Sequence, residues 1–163
     1  MSATDDNIPF DVTLRVRDTC LCLHLQQAAR TVARRFDAAL RPLGLTNGQF
    51  SLLMSLNRPN AASIGSISAL LAMDRTTLTA NLKPLERRGL VTVAVDDVDK
   101  RSRRLTLTPA GRALLFSALP VWANEHAAIE SLLAEAGPNH LRADLRALSN
   151  RDSDPRPDTY PCC

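Results

Sequence analysis

Aromatic residues are scarce: one Trp, one Tyr and four Phe make up 4% of the 163 residues. Binding of single strands by successive stacked bases needs more rings than that. The six glycines form neither GxGxxG nor GxxxxGK[ST], so neither common phosphate cradle is present. Long hydrophobic runs are missing as well. The longest stretch without charge, Pro42 to Asn57, contains Thr46, Asn47, Gln49, Ser51 and Ser55 and is too short and too polar to span a bilayer. Asp5 and Asp6 stand where a secretory signal would carry positive charge, which argues against export by such a signal and for a cytoplasmic protein. Three histidines, no HExxH, no H-x-E and no ordered Ser/His/Asp set give no support to an enzyme. The four cysteines fit no zinc spacing, so neither metal nor cofactor is expected.

What remains is an ordinary globular composition, 45% hydrophobic and 23% charged, in a length that suits one domain. Lysine is rare. Only Lys83 and Lys100 stand among the 20 basic residues, and the rest are arginine. The basic residues cluster: from Asp74 to Arg112 there are nine against five acidic ones, an excess above the whole-chain net charge of +3. A concentrated basic stripe on a near-neutral body suits a polyanion, although a merely solvated charged face has the same composition.

Periodicity organises the chain. Residues 1–10 are polar and read as a flexible N-terminus. Leu21, Leu25, Ala28, Val32, Phe36, Ala39 and Leu43 recur at spacings of three and four, predicting one long helix over residues 11–43. Gly44 ends it, and Thr46 with Gln49 has the form of a capping box opening a short helix. Asn57–Asn60 breaks that helix. Ser63 caps a third with Ile64, Ile67, Leu70 and Leu71 inward, and Asp74 caps a fourth that ends at Gly89. Two short helices in this arrangement form a helix-turn-helix. Leu90–Val95 and Ser102–Thr108 then alternate around a charged turn, which predicts a β-hairpin. A hairpin placed there is a wing. Thr108 and Pro109 open a second long helix reaching about Ala136, bent at Pro120, and a last helix runs from about His140 to Leu148. Residues 150–163 read as a flexible tail.

This order of parts resembles the MarR family of bacterial transcription regulators. The residues carrying the resemblance are Arg41-Pro42-Leu43-Gly44-Leu45-Thr46 with Gln49-Phe50, Met73 to Thr79, Leu85 to Val91, Asp99-Lys100-Arg101 and Leu105 to Gly111. They fall within about Val16 to Leu148. The resemblance implies a mainly α fold with a small β-hairpin wing, in a single domain over 11–149. Residues 46–108 would form the winged helix-turn-helix, and 11–43 and 109–149 the dimerisation helices. It further implies a homodimeric repressor bound to a palindromic duplex DNA operator and released by a small aromatic effector or an oxidant.

Leu78, Leu82 and Leu85 share one face of the fourth helix and should pack inward. The opposite face would meet a major groove, with Arg75, Thr76, Thr77 and Thr79 near the helix N-terminus and Asn81 and Lys83 beyond. Two departures from the family mark this helix. Ala80 stands where many relatives carry Arg, and Pro84 removes a backbone donor. On the wing, Asp99 would hold the Arg101 guanidinium in a fork aimed at the minor groove or a phosphate. Arg103 and Arg104 face opposite sides of their strand, so one of the two is expected to reach DNA.

Cys20 and Cys22 read as small apolar residues of a core or interface. The alternative is a thiol sensor of oxidant or metalloid, in which one of them pairs with Cys162 or Cys163 and His24 lies one turn on. A winged helix serving as a protein-interaction adaptor is a reading from another class, and the basic wing argues against it.

Overall fold

The computed structural model describes residues 8–97, 99–133 and 137–149. Cys162 and Cys163, the tail, most of the expected N-terminal segment and the end of the expected second long helix lie outside them. The chain divides into two compact units, Met1–Trp122 and Ala123–Cys163.

In the first unit, the helix expected over residues 11–43 is broken. Helix α1 (Phe10–Thr19) and helix α2 (Leu21–Leu40) meet at Cys20, whose backbone is extended. The Cys20 N–H closes α1 on the Val16 carbonyl at 2.9 Å, and the Cys20 carbonyl accepts from the His24 N–H at 3.1 Å to open α2. The Thr19 hydroxyl donates back to the Arg15 carbonyl at 2.7 Å, a bond that competes with the helix ladder at the break. An apolar period continues across a single non-helical residue, which is why periodicity alone reads one rod here. A 3₁₀ turn (Arg41–Leu43) then leads to Gly44 at φ +64°, a left-handed conformation that favours glycine.

Helix α3 (Asn47–Ser55) opens with the expected capping box. The Thr46 hydroxyl accepts from the Gln49 N–H at 3.2 Å, and the Gln49 side chain accepts from the Thr46 N–H at 3.1 Å. Helix α4 (Ile64–Leu71) is capped by Ser63, and helix α5 (Arg75–Arg87) by Asp74. Pro84 is accommodated within α5, and its carbonyl accepts from the Arg88 N–H at 3.1 Å. Leu78, Leu82 and Leu85 of α5 are buried, as are Leu52 and Leu53 of α3 and Ile67 of α4, the helices that α5 packs against. Of the four residues of α4 expected to face inward, Ile67 is buried, whereas Leu70 is 46% exposed.

The hairpin pairs strand β2 (Val91–Val95) with strand β3 (Arg103–Leu107). A two-residue strand β1 (Ala62–Ser63), absent from the sequence expectation, lies on the other side of β3 with Ala62 opposite Leu105. The wing is thus part of a three-stranded antiparallel sheet in the order β1-β3-β2. Helix α6 (Pro109–Glu130) begins where expected, runs through Pro120 and ends six residues before Ala136. The Thr108 hydroxyl accepts from the Gly111 N–H at 3.0 Å and donates to the Gly89 carbonyl at 2.8 Å, fixing the helix start to the end of α5.

The second unit holds the end of α6 and helix α7 (Gly137–Leu148), which starts three residues before the expected His140. Arg142 of α7 pairs with Glu130, and this contact holds the Glu130 carboxyl below the usual carboxylate range. No described helix is long and apolar enough to cross a membrane.

Candidate nucleic-acid interface

Asp74 sets the reading helix. One carboxylate oxygen accepts from the Thr77 N–H at 2.8 Å and the other from the Thr77 hydroxyl at 2.7 Å. These bonds favour the charged form and hold the Asp74 carboxyl below its ordinary value, the hydroxyl bond being the larger cause. Arg75, Thr76, Ala80, Lys83 and Arg87 are exposed on the face opposite the buried leucines. The remaining candidates on this helix have partners of their own. Thr77 is engaged in the cap, and the Thr79 hydroxyl donates to the Arg75 carbonyl at 2.7 Å. Asn81 donates to the Thr77 carbonyl at 2.9 Å and lies against Gly48 of α3, where an added Cβ would stand 2.7 Å from its Oδ1. Asn81 therefore helps seat α5 on α3. The contact needs a glycine on the neighbouring helix, a pairing that only the packing reveals.

The wing turn differs from expectation in how it is held. Asp99 accepts from the backbone N–H of Arg101 at 3.0 Å and does not grip the guanidinium. The carboxylate shapes the turn, because a backbone donor two residues away is closer than a guanidinium at the end of a long side chain. Asp96, 6% exposed, is the central acceptor: it takes the Asp99 N–H at 3.1 Å and pairs with Arg104. Arg104 donates also to the Ala61 carbonyl at 3.2 Å. It therefore ties β3 to the approach of β1. Arg101 and Arg103 are exposed, and Arg103 donates to the Lys100 and Ser102 carbonyls at 3.3 and 3.2 Å. Arg88 was missed by sequence reasoning. Its guanidinium donates to the Gly44 carbonyl at 2.6 Å and the Leu43 carbonyl at 3.3 Å, joining the end of α5 to the end of the 3₁₀ turn.

The cysteines sit at the α1–α2 break. Cys20 is half-buried at the N-cap of α2, and Cys22 is exposed in its first turn, where Gln26 donates to its sulfur at 3.2 Å. His24 Nδ1 lies 2.8 Å from the Cys20 carbonyl, so the imidazole is tied to the backbone of Cys20. No group of three or more potential metal ligands gathers among the described residues.

Beside the helix-turn-helix lies a cavity of about 400 Å³, walled by Phe50 and Met54 of α3, Leu70 and Leu71 of α4, and Leu119 and Trp122 of α6. Phe50 and Trp122 stack with centroids 6.3 Å apart and planes 18° from parallel. Among the described residues of its lining, Ser51 and Ser55 carry hydroxyls and Trp122 an indole N–H, and the rest are apolar.

A capped reading helix beside a three-stranded sheet with an arginine-tipped turn defines a winged helix-turn-helix protein. The chain belongs to the MarR family, whose sequence pattern matches residues 45–102. It is 36% identical over 113 residues to the transcriptional activatory protein BadR of Rhodopseudomonas palustris, a match covering 68% of this chain and 63% of BadR. The chain thus aligns with less than two-thirds of that relative's length. Among solved structures, the M. tuberculosis regulator MosR in complex with DNA is 35% identical with a TM-score of 0.72, over 82% of this chain and 96% of MosR. The repressor CouR bound to a DNA duplex is 30% identical with a TM-score of 0.69, over 84% and 95% of the two chains. These relatives are transcription regulators, a class distinct from enzymes.

Proposed function

We propose that the protein is a homodimeric transcription regulator that binds a palindromic duplex operator and leaves it when a small molecule binds. The observation that carries this reading is the exposed polar face of α5, with Arg75, Thr76 and Lys83, beside a wing whose Arg101 and Arg103 are exposed. MosR and CouR, both solved with DNA, support it. Of the remaining candidates, Thr77 and Thr79 donate their hydroxyl protons to Asp74 and the Arg75 carbonyl and so serve the helix itself, while Asn81, Asp99 and Arg104 hold the frame. Such a protein works in the cytoplasm, where its DNA lies.

A second copy of the chain is the partner that the exposed apolar side chains call for. In the first unit Phe10 is 72%, Leu21 70% and Phe116 78% exposed. In the second, Leu141, Leu145 and Leu148 follow one another along α7 and are all exposed. We read the regulatory outcome as repression, the role in CouR's name. BadR's name carries the opposite role, and a reporter fused to the operator decides between them.

Nuclease protection by the purified protein tests the whole reading. Two protected half-sites about one helical turn apart are expected. Failure to bind any duplex at low salt overturns it. A second reading, thiol sensing, rests on the exposure of Cys22 in the first turn of α2. Loss of DNA binding on diamide treatment, abolished by Cys22→Ser, is its expected sign.

A further inference from the structure

Directly opposite the buried Leu78, Leu82 and Leu85, helix α5 carries an exposed stripe of Thr76, Ala80, Lys83 and Arg87, each about one turn from the next. Thr77, Thr79 and Asn81, which flank the stripe, are spent within the protein. Thr77 and Thr79 donate their hydroxyl protons to Asp74 and the Arg75 carbonyl. Asn81, the single Asn or Gln of α5, donates its amide to the Thr77 carbonyl and packs on Gly48. The side-chain amide that would grip adenine through N6 and N7 is therefore missing from this face. Arg75 and Glu86 stand exposed at its edges. At the centre, between Thr76 and Lys83, the stripe presents the Ala80 methyl, which ends one carbon from the backbone.

A major groove about 12 Å wide admits a helix about 10–12 Å across, and short facing side chains let the helix approach the base edges closely. The donors and acceptors of those edges find no partner in a methyl group. Thymine differs, because its 5-methyl projects into the groove and loses water-exposed carbon surface against another methyl. We propose that α5 identifies A·T pairs through the thymine methyl, with Ala80 as the specificity-determining residue. The inference rests on the DNA-binding reading above and adds to it the chemistry of the base that is read. Lys83 lies roughly 4.5 Å further along the axis at about 1.5 Å per residue, so its ammonium meets a neighbouring base pair or phosphate and leaves the methyl contact undisturbed.

Selection from a pool of random DNA duplexes by the full chain supplies the probe. The enriched duplex is resynthesised with deoxyuridine in place of each half-site thymine in turn, which removes the methyl and keeps the pairing edge. At fixed salt, one thymine position is expected where uracil weakens binding about fourfold per methyl removed. Ala80→Gly should bring the thymine-to-uracil affinity ratio at that position to about one, whatever happens to overall affinity. Glycine weakens a helix, so a second measurement uses the unaltered protein. A C·G pair placed at the same position should bind more weakly than T·A, and 5-methylcytosine there should recover about fourfold. Uracil tolerated at every half-site thymine overturns the inference and leaves the regulatory reading standing. The same holds for a ratio that persists in Ala80→Gly, or for 5-methylcytosine that binds no better than cytosine. A pool from which no duplex is enriched overturns the regulatory reading, and the inference with it.

Discussion

At the scale of single residues, similar side chains divide into those that face outward and those that hold the frame. Arg101 and Arg104 both belong to the wing and both reach solvent, yet the Arg104 guanidinium is bound to buried Asp96. Arg101→Ala should weaken operator binding and reduce the slope of log affinity against log salt by about 1. Arg104→Ala should leave Asp96 short of a partner and destabilise the protein by about 1–3 kcal/mol. Urea denaturation and faster amide exchange at Asp99 and Arg101 would read this effect. A lost salt slope in Arg104→Ala with unchanged stability would reverse the assignment. Gly111 shows the same dependence on packing. A Cβ there would stand 2.1 Å from the Leu90 carbonyl oxygen, a backbone atom that cannot swing aside. Gly111→Ala should cost about 1–3 kcal/mol in urea denaturation. Gly65→Ala, where the nearest atom is Ser63 Oγ at 3.9 Å, should be neutral or stabilising.

At the scale of elements, ends and faces were the most legible features. The Thr46–Gln49 box, the Asp74 cap, Gly44 and the Leu78–Leu82–Leu85 stripe all follow from bonds or contacts within a few residues. Asp74 ties the reading helix to pH. Its folded pKa is depressed, so its contribution to stability is present above the ordinary carboxylate value of about 4 and is lost as pH falls through the depressed folded value. Asp74→Ala should melt at a lower temperature than the unaltered protein at neutral pH, with the difference shrinking below about pH 4. Asp74→Asn, which keeps an acceptor without the charge, should show less pH dependence. Thermal melts across that range check both. The break at Cys20 was not legible, because one extended residue does not interrupt the apolar period on either side.

At the scale of the whole molecule, the apolar surface left open on the described helices is where the proposed homodimer would form. Phe116, 78% exposed on α6, is a large ring for a solvated position. Phe116→Glu should shift the protein from dimer to monomer in sedimentation and weaken operator binding, since two half-sites would no longer be engaged together. A dimer unaffected by this change would place the interface on other helices.

The sequence by itself determined the order of the helices from α3 onward and of the two hairpin strands, the caps of α3, α4 and α5, the basic segment and the family pattern. All of these are written in neighbours along the chain, where hydrogen bonds and periodicity act over a few residues. The tertiary structure alone decided that β1 joins the wing sheet through Ala62 and Leu105. It decided too that Arg104 serves Asp96, that Asn81 requires Gly48, and that Phe50 and Trp122 stack in the wall of one cavity. These pairings, apart from the short span between Asp96 and Arg104, join residues more than 30 positions apart. Even that pair depends on the hairpin register, which is fixed only when the sheet closes.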